Sequence, residues 1–151
     1  MMECEPRSEK EATMNVLYTA TATATGDGRN GHATSEDGTL DLDLRLPTAM
    51  GGPGGATNPE QLFAVGYAAC FHSALKVVAG SDKLDVIGSE VSASVGIGTL
   101  DNGGFGLQVE LDVVVPNLDR ASAEALVAKA HQICPYSNAT RGNIDVKLTV
   151  I

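Results

Sequence analysis

The sequence predicts an α+β fold in which antiparallel sheets pack around two main helices, in the order βββ-α-ββ-α-β. Three observations carry that expectation. Several stretches of five to ten residues alternate apolar and polar side chains, the period of a half-buried strand. Two longer stretches carry helix-start and helix-stop residues at their ends. The strands on either side of Glu36-Asp37-Gly38 and Asp101-Asn102-Gly103-Gly104 are joined by turns, so hairpins rather than βαβ crossovers are expected.

The 151 residues suit one domain with a sizeable core. Residues 1–15, rich in charge, read as a disordered tail that is no signal peptide, with Cys4 incidental to it. Residues 16–151 read as a single domain. The net charge is −9, from 10 basic and 19 acidic residues, and no Lys/Arg cluster stands out. That excludes the usual nucleic-acid and anionic-membrane surfaces. Tryptophan is absent and aromatics make up 4% of the chain, too few for a base-stacking platform. Three cysteines do not form a secreted disulfide framework and fit a reducing, cytoplasmic setting.

Val16–Thr25, VLYTATATAT, alternates and is rich in β-branched Thr, so it reads as a strand. GDGRNG follows as a loop that contains Arg29. After His32–Ser35 and a turn, TLDLDLRLP sets Leu40, Leu42, Leu44 and Leu46 on one face and Asp41, Asp43 and Arg45 on the other. The glycine-rich linker Met50–Ala56 lacks the lysine and the spacing of a phosphate-binding loop.

The central helix is expected over Asn58–Ala79, with Asn58 as N-cap, Pro59 at its first position, Gln61 as capping-box partner and Gly80 as its stop. It is apolar almost all round, which marks a buried helix. Its late polar residues His72, Ser73 and Lys76 argue against a membrane span. Val91–Ile97 and Phe105–Val115 then form a hairpin that Pro116 ends. A second helix over Asp119–Cys134 groups Leu126, Ala130, Ile133 and Cys134 on one face, and Pro135 ends it. Ile144–Ile151 is the last strand.

Cys70 and Cys134 lie on the two helices, so packing of the helices would bring the thiols toward bridging range. A Cys2His2 metal set, from Cys70, His72, His131 and Cys134, competes with a thiol pair. His131 and Cys134 share a face, whereas Cys70 and His72 point about 200° apart on a regular helix. His131, Asn138 and Thr140 read as structural.

The blocks TNPEQLFAVGYAACF around Cys70 and AHQICPYSNATRGNIDV around Cys134 resemble the signature blocks of the organic hydroperoxide resistance proteins of the OsmC/Ohr superfamily. LYTATATATG and GGFGLQVEL fit the same family, so the resemblance runs from about Leu17 to the C-terminus. It implies a cysteine-based peroxidase for organic hydroperoxides, an intertwined homodimer reduced by lipoylated proteins. By that resemblance Cys70 is the peroxidatic thiol, Cys134 the resolving thiol, and Glu60 and Arg29 the active-site glutamate and arginine. The family's GGR-(D/N)-G is one residue longer before the arginine here, in GDGRNG, and Arg29 is the only arginine in that loop.

The physics of the thiol agrees with those roles. A peroxidatic cysteine has to be a thiolate near neutral pH, and a free thiol titrates near pH 8.5. Cys70 lies about three turns into its helix, where the helix dipole has faded. Burial would raise the pKa, so a cation has to lower it, and Arg29 is the group suited to do so while paired with Glu60. Phe63, Tyr67 and Phe71 are the expected walls of an apolar substrate pocket. No bound cofactor or metal is expected, only an external dithiol such as dihydrolipoamide.

Glu60 and Cys70 are ten residues apart, about 15 Å along a straight helix. A shared site therefore needs either a break in the helix or Glu60 from a second chain, and the small residues Ala64, Gly66, Ala68 and Ala69 favour the second, letting two helices approach about a two-fold axis near Val65. A thiol redox sensor without turnover and a zinc-stabilised structural protein are the rival classes.

Overall fold

The computed structural model describes residues 14–151; Cys4 and most of the expected tail lie outside the described residues. The elements are β1 (Ala22–Thr25), β2 (His32–Ser35), β3 (Asp41–Asp43), α1 (Pro59–Asp82), β4 (Glu90–Thr99), β5 (Phe105–Val114), α2 (Arg120–Ile133), α3 (Pro135–Thr140) and β6 (Val146–Val150). The fold is α+β, with two main helices and two three-stranded sheets, β1-β2-β3 and β4-β5-β6.

The core forms where α1 and α2 lie on the larger sheet. Tyr67, Phe71, Leu75 and Ala79 of α1 meet Ala123, Leu126, Val127 and Ala130 of α2 and Val109, Leu111 and Val113 of β5. Full burial of each valine, leucine or phenylalanine among them contributes roughly 1.5–3 kcal/mol, and of each alanine less.

α1 begins as its sequence directs. Asn58 accepts from the Gln61 backbone N–H at 2.9 Å, although the Gln61 side chain turns instead to Thr57 Oγ1 at 2.9 Å. Its end differs from expectation. Gly80 is simply passed through, and the helix closes at Lys83, whose φ of 56° is left-handed. The backbone N–H of Leu84 bonds Ala79 O at 2.9 Å while the Leu84 side chain packs on the core. A closing hydrogen bond with an apolar contact just past the helix thus decides the stop, not the glycine.

The helix is not buried on every side. Leu62, Val65 and Ala69 form an exposed stripe, with Val65 69% exposed. Gly66 is occupied within the chain, because a Cβ there would lie 2.9 Å from the Tyr136 hydroxyl. By length and composition α1 is also apolar enough to cross a membrane, so its late polar residues do not exclude that reading. Its packing against α2 and the sheet makes it a core helix here.

Three strands are shorter than their patterns. Val16–Thr21 forms no ladder among the described residues, and Leu17 is 93% exposed. The neighbouring strand β2 is only four residues long, and past it a single backbone bond, from the Glu36 N–H to Thr21 O at 2.8 Å, continues the pairing before the chain turns. β3 keeps only Asp41–Asp43 of the expected leucine run; Leu44 is buried and bridges Thr57, while Leu40 is exposed. β6 begins at Val146 and pairs in parallel with β5, from Val109↔Val146 to Val113↔Val150.

That last pairing corrects the expectation of antiparallel sheets without crossovers. Alternation fixes which face of a strand is buried but not its direction. Here α2 and α3 carry the chain across the sheet, as a parallel neighbour requires. α3 is also unforeseen. Cys134 leaves α2 with ψ of 123°, and Pro135 starts the new helix at its first position. On α2, Ile133 is 47% exposed; the buried face runs Ala123, Leu126, Val127, Ala130 and Cys134.

Lys83→Gly should raise thermal stability by about 1 kcal/mol, because a side chain in the left-handed region carries that order of strain. Denaturant unfolding measures it, and a loss of stability would mean that the Lys83 side chain itself stabilises the cap.

Candidate active site

Two clusters carry the candidate chemistry. The first is ionic. Arg29 sits on a single 3-10 turn, Gly28–Asn30, between β1 and β2. Its guanidinium grips Glu60 with two parallel hydrogen bonds, Nη1 to Oε2 and Nη2 to Oε1, both 2.7 Å. That fork-to-fork pairing is the strongest geometry available to these groups.

Glu60 occupies the second position of α1, where backbone N–H groups also favour negative charge. The Arg29 hydrogen bonds hold its carboxyl below the ordinary carboxylate range, against the opposing effect of burial. The same pairing raises the Arg29 pKa further.

The Arg29 turn is fixed by its neighbours. Leu46 donates its backbone N–H to Asn30 Oδ1 at 2.9 Å. Arg45 Nη1 donates to the carbonyls of Leu44 at 2.6 Å and Gly31 at 3.2 Å. Gly31 has no room for a side chain, since a Cβ would meet Thr25 O at 2.3 Å. Arg45 is therefore committed to backbone carbonyls of this loop.

The second cluster is the thiol pair. Cys70, in the middle of α1, and Cys134, at the elbow between α2 and α3, are free thiols. Their sulfurs are 3.6 Å apart. Cys134 is fully buried and Cys70 half-buried. Burial pushes the Cys70 thiol above its ordinary range, and the Tyr136 backbone N–H pulls the other way. Arg29 is not among the groups that perturb it. α1 runs without a break between Glu60 and Cys70, so the ionic pair and the thiol of one chain stand about 15 Å apart along the axis.

The expected pocket needs correction. Tyr67 and Phe71 are fully buried and belong to the core, because they lie on the face of α1 turned to α2 and the sheet. Phe63 alone of the three lines open space. With Arg29, Glu60, Ile97, Phe105 and Leu107 it walls a cavity of about 300 Å³, charged at one end and apolar elsewhere. Phe63, Tyr67 and Tyr136 form an aromatic cluster with ring centroids 5.7–6.1 Å apart.

Tyr136 and Ser137 went unrecognised in the sequence; Pro135 was the available signal, as a proline that starts a helix as readily as it ends one. His72 bonds Ser89 Oγ at 2.9 Å. His131 is pushed toward its neutral form by burial, with Arg141 adding to the effect. Among the described residues, no group of three or more His, Cys, Asp or Glu is arranged to hold a metal ion.

The family follows from this chain's comparison with known proteins. Residues 52–149 match the family model described as OsmC-like protein, and the chain belongs to that family. Within it the chain falls among the organic hydroperoxide resistance proteins. It is 61% identical over 137 residues to one from Xanthomonas axonopodis pv. citri, covering 89% of this chain and 95% of that protein. The crystal structure of an organic hydroperoxide resistance protein from Elizabethkingia anophelis matches with a TM-score of 0.87 at 55% identity, covering 91% of this chain and 98% of that one. One from Legionella pneumophila matches with a TM-score of 0.86 at 53% identity, covering 90% and 98%.

The depressed Glu60 pKa predicts part of the acid sensitivity. A lowered folded-state pKa contributes stability above the unfolded value, 4.5 for this carboxyl, and that stability is lost as pH falls through the folded value. Glu60→Gln should therefore narrow the gap in stability between neutral pH and acid, as followed by urea unfolding across pH. Identical acid dependence in both proteins would show that the ion pair does not contribute.

Proposed function

We propose that this protein is a cysteine-based peroxidase that reduces organic hydroperoxides to alcohols and so takes part in defence against them. The observation that carries the reading is the approach of two free thiols to 3.6 Å across two packed helices. Family membership supports the substrate class, through relatives named for organic hydroperoxide resistance. The cavity beside Phe63 supports it as well, since an apolar wall with one charged end suits a greasy peroxide.

In the proposed cycle the Cys70 thiolate attacks the distal oxygen of R–OOH, the O–O bond breaks, and the alcohol R–OH leaves after taking up a proton. Cys70 is left as the sulfenic acid. The Cys134 thiol then attacks that sulfur, forming the disulfide and releasing water. An external dithiol, dihydrolipoamide or a lipoylated protein, restores both thiols by exchange and is itself oxidised to a disulfide. The chemistry uses no bound cofactor, and a cytoplasmic setting suits the reduced thiols.

The thiolate needs a cation, and among the described residues of its own chain none is a cause of its shift. We assign that role to Arg29 of a second copy, held in place by that copy's Glu60, in an intertwined homodimer. Three features of the single chain support this arrangement. Leu62, Val65 and Ala69 leave an apolar stripe open on α1. Val16–Thr21 has strand-forming side chains without a ladder. The uninterrupted helix keeps Glu60 away from Cys70 of the same chain. Packing two α1 stripes about a two-fold axis near Val65 gives two equivalent sites.

The test is steady-state consumption of an alkyl hydroperoxide and of hydrogen peroxide with dihydrolipoamide, then with a monothiol. The alkyl hydroperoxide and the dithiol should be preferred. Cys70→Ser should abolish turnover, and Cys134→Ser should allow one oxidation of Cys70 and then stall or over-oxidise. Normal turnover by Cys134→Ser with a dithiol would remove Cys134 from the cycle; a protein that oxidises once but never turns over would be a sensor.

Arg29→Lys should lose most of the activity although the charge is kept, because an ammonium cannot hold a carboxylate and a thiolate in one plane. Thiolate absorbance against pH should show Cys70 ionising at higher pH in that variant. An unchanged titration would mean that another group activates the thiol.

A further inference from the structure

One helical turn along the chain from each thiol lies a residue of a buried polar cluster that the proposed cycle does not use. Tyr67, three residues before Cys70 on α1, is completely buried, and so is Ser137, three residues after Cys134 on α3; Thr140 is nearly so. The Tyr67 hydroxyl is 2.9 Å from Ser137 Oγ and 3.1 Å from Thr140 Oγ1. Thr140 Oγ1 donates to the Ser137 carbonyl at 3.2 Å.

Those contacts fix the protons. Thr140 spends its one hydroxyl proton on the carbonyl, so it accepts from Tyr67. Tyr67 has then spent its own proton and accepts from Ser137. Every hydroxyl proton has a partner, and the three groups reach each other rather than solvent.

We infer that the Tyr67 hydroxyl is a positioning group that latches α3 to α1 and so holds Cys134 within reach of Cys70. The inference rests on the peroxidase reading for its place in the cycle, but its geometry stands without it. Cys134 lies where backbone hydrogen bonding changes from one helix to the next, with an extended ψ of 123°. Its own backbone hydrogen bonds run along α2 and α3, from the Cys134 N–H to Ala130 O and from the Asn138 N–H to Cys134 O, both 2.9 Å, so the place of the elbow against α1 is left to side chains. Its sulfur has to travel from 3.6 Å to bonding distance from Cys70. A side chain that fixes the elbow against α1 raises the effective concentration of one thiol at the other. The latch does so through the hydrogen bonds of Tyr67 to Ser137 and Thr140.

The experiment separates the two steps. The reduced protein is mixed with one equivalent of an alkyl hydroperoxide; loss of the Cys70 thiol and formation of the Cys70–Cys134 disulfide are followed by quenching and mass spectrometry. Tyr67→Phe removes one oxygen and keeps the ring. It should lose the Cys70 thiol at the wild-type rate and form the disulfide about tenfold more slowly, the order expected when the hydrogen bonds to Ser137 and Thr140 are lost from positioning. Thr140→Val should slow the same step, and Thr140→Ser, which keeps the hydroxyl, should restore it.

Disulfide formation as fast as wild type in Tyr67→Phe, or in Thr140→Val should Tyr67→Phe not fold, overturns the proposal. So does equal slowing of both steps, which marks a general loss of structure. A second arm uses oxidised glutathione, which is reduced to two glutathione thiols as the protein disulfide forms. There Tyr67→Phe should again close the pair about tenfold more slowly. A wild-type protein that ignores the hydroperoxide would defeat the peroxidase reading, whereas the glutathione arm would still decide the latch.

Discussion

The continuity of α1 is the constraint on which the rest depends. It runs for 24 residues, capped by Asn58 at one end and Lys83 at the other. Glu60 is fixed in its first turn and Cys70 in its middle, so their separation is set by helix pitch and cannot be closed by side-chain movement. The same helix supplies Tyr67, Phe71 and Leu75 to the core, which keeps it from bending toward its own N-terminus. One rigid rod thus holds the ionic pair and the thiol pair apart within the chain.

The electrostatics follow from that separation. Burial alone works against the Cys70 thiolate, and the opposing backbone N–H of Tyr136 is a partial dipole rather than a full charge. Arg29, meanwhile, is engaged with Glu60 through two of its donors and is 37% exposed. It therefore keeps donors for a further anion, a thiolate or a peroxide oxygen, without leaving the carboxylate. The loop that carries it is anchored by Arg45, Asn30 and Gly31, so the guanidinium is presented from a fixed base.

Much of this was legible in the sequence, and the failures have physical reasons. The cap at Asn58 and the start of α2 near Asp119 were readable because they depend on a few adjacent residues. The approach of Cys70 to Cys134 was legible as a condition, that the two helices carrying them pack together, and through the family resemblance. The parallel direction of β6 was not readable, because alternation is the same in either direction. The strand at Val16–Thr21 failed because propensity supplies no partner, and Tyr67 and Phe71 were misplaced because a helix apolar all round does not reveal which side faces its own chain. Thr140 read as structural and is so, but Ser137 gave no signal; a short polar residue near a proline looks like loop until the tertiary contact with Tyr67 is present.

The claim most exposed to refutation is that a working site draws Cys70 from one chain and Glu60 with Arg29 from another. Co-refolding Glu60→Ala chains with Cys70→Ser chains tests it directly, with mixed dimers verified by native mass spectrometry. Each parent protein should be impaired in dihydrolipoamide-dependent turnover of an alkyl hydroperoxide. The mixture should regain activity, because in a mixed dimer one site combines an intact Cys70 with the other chain's intact Arg29 and Glu60. Mixed dimers as inactive as their parents would contradict the shared site and require both groups to act from one chain.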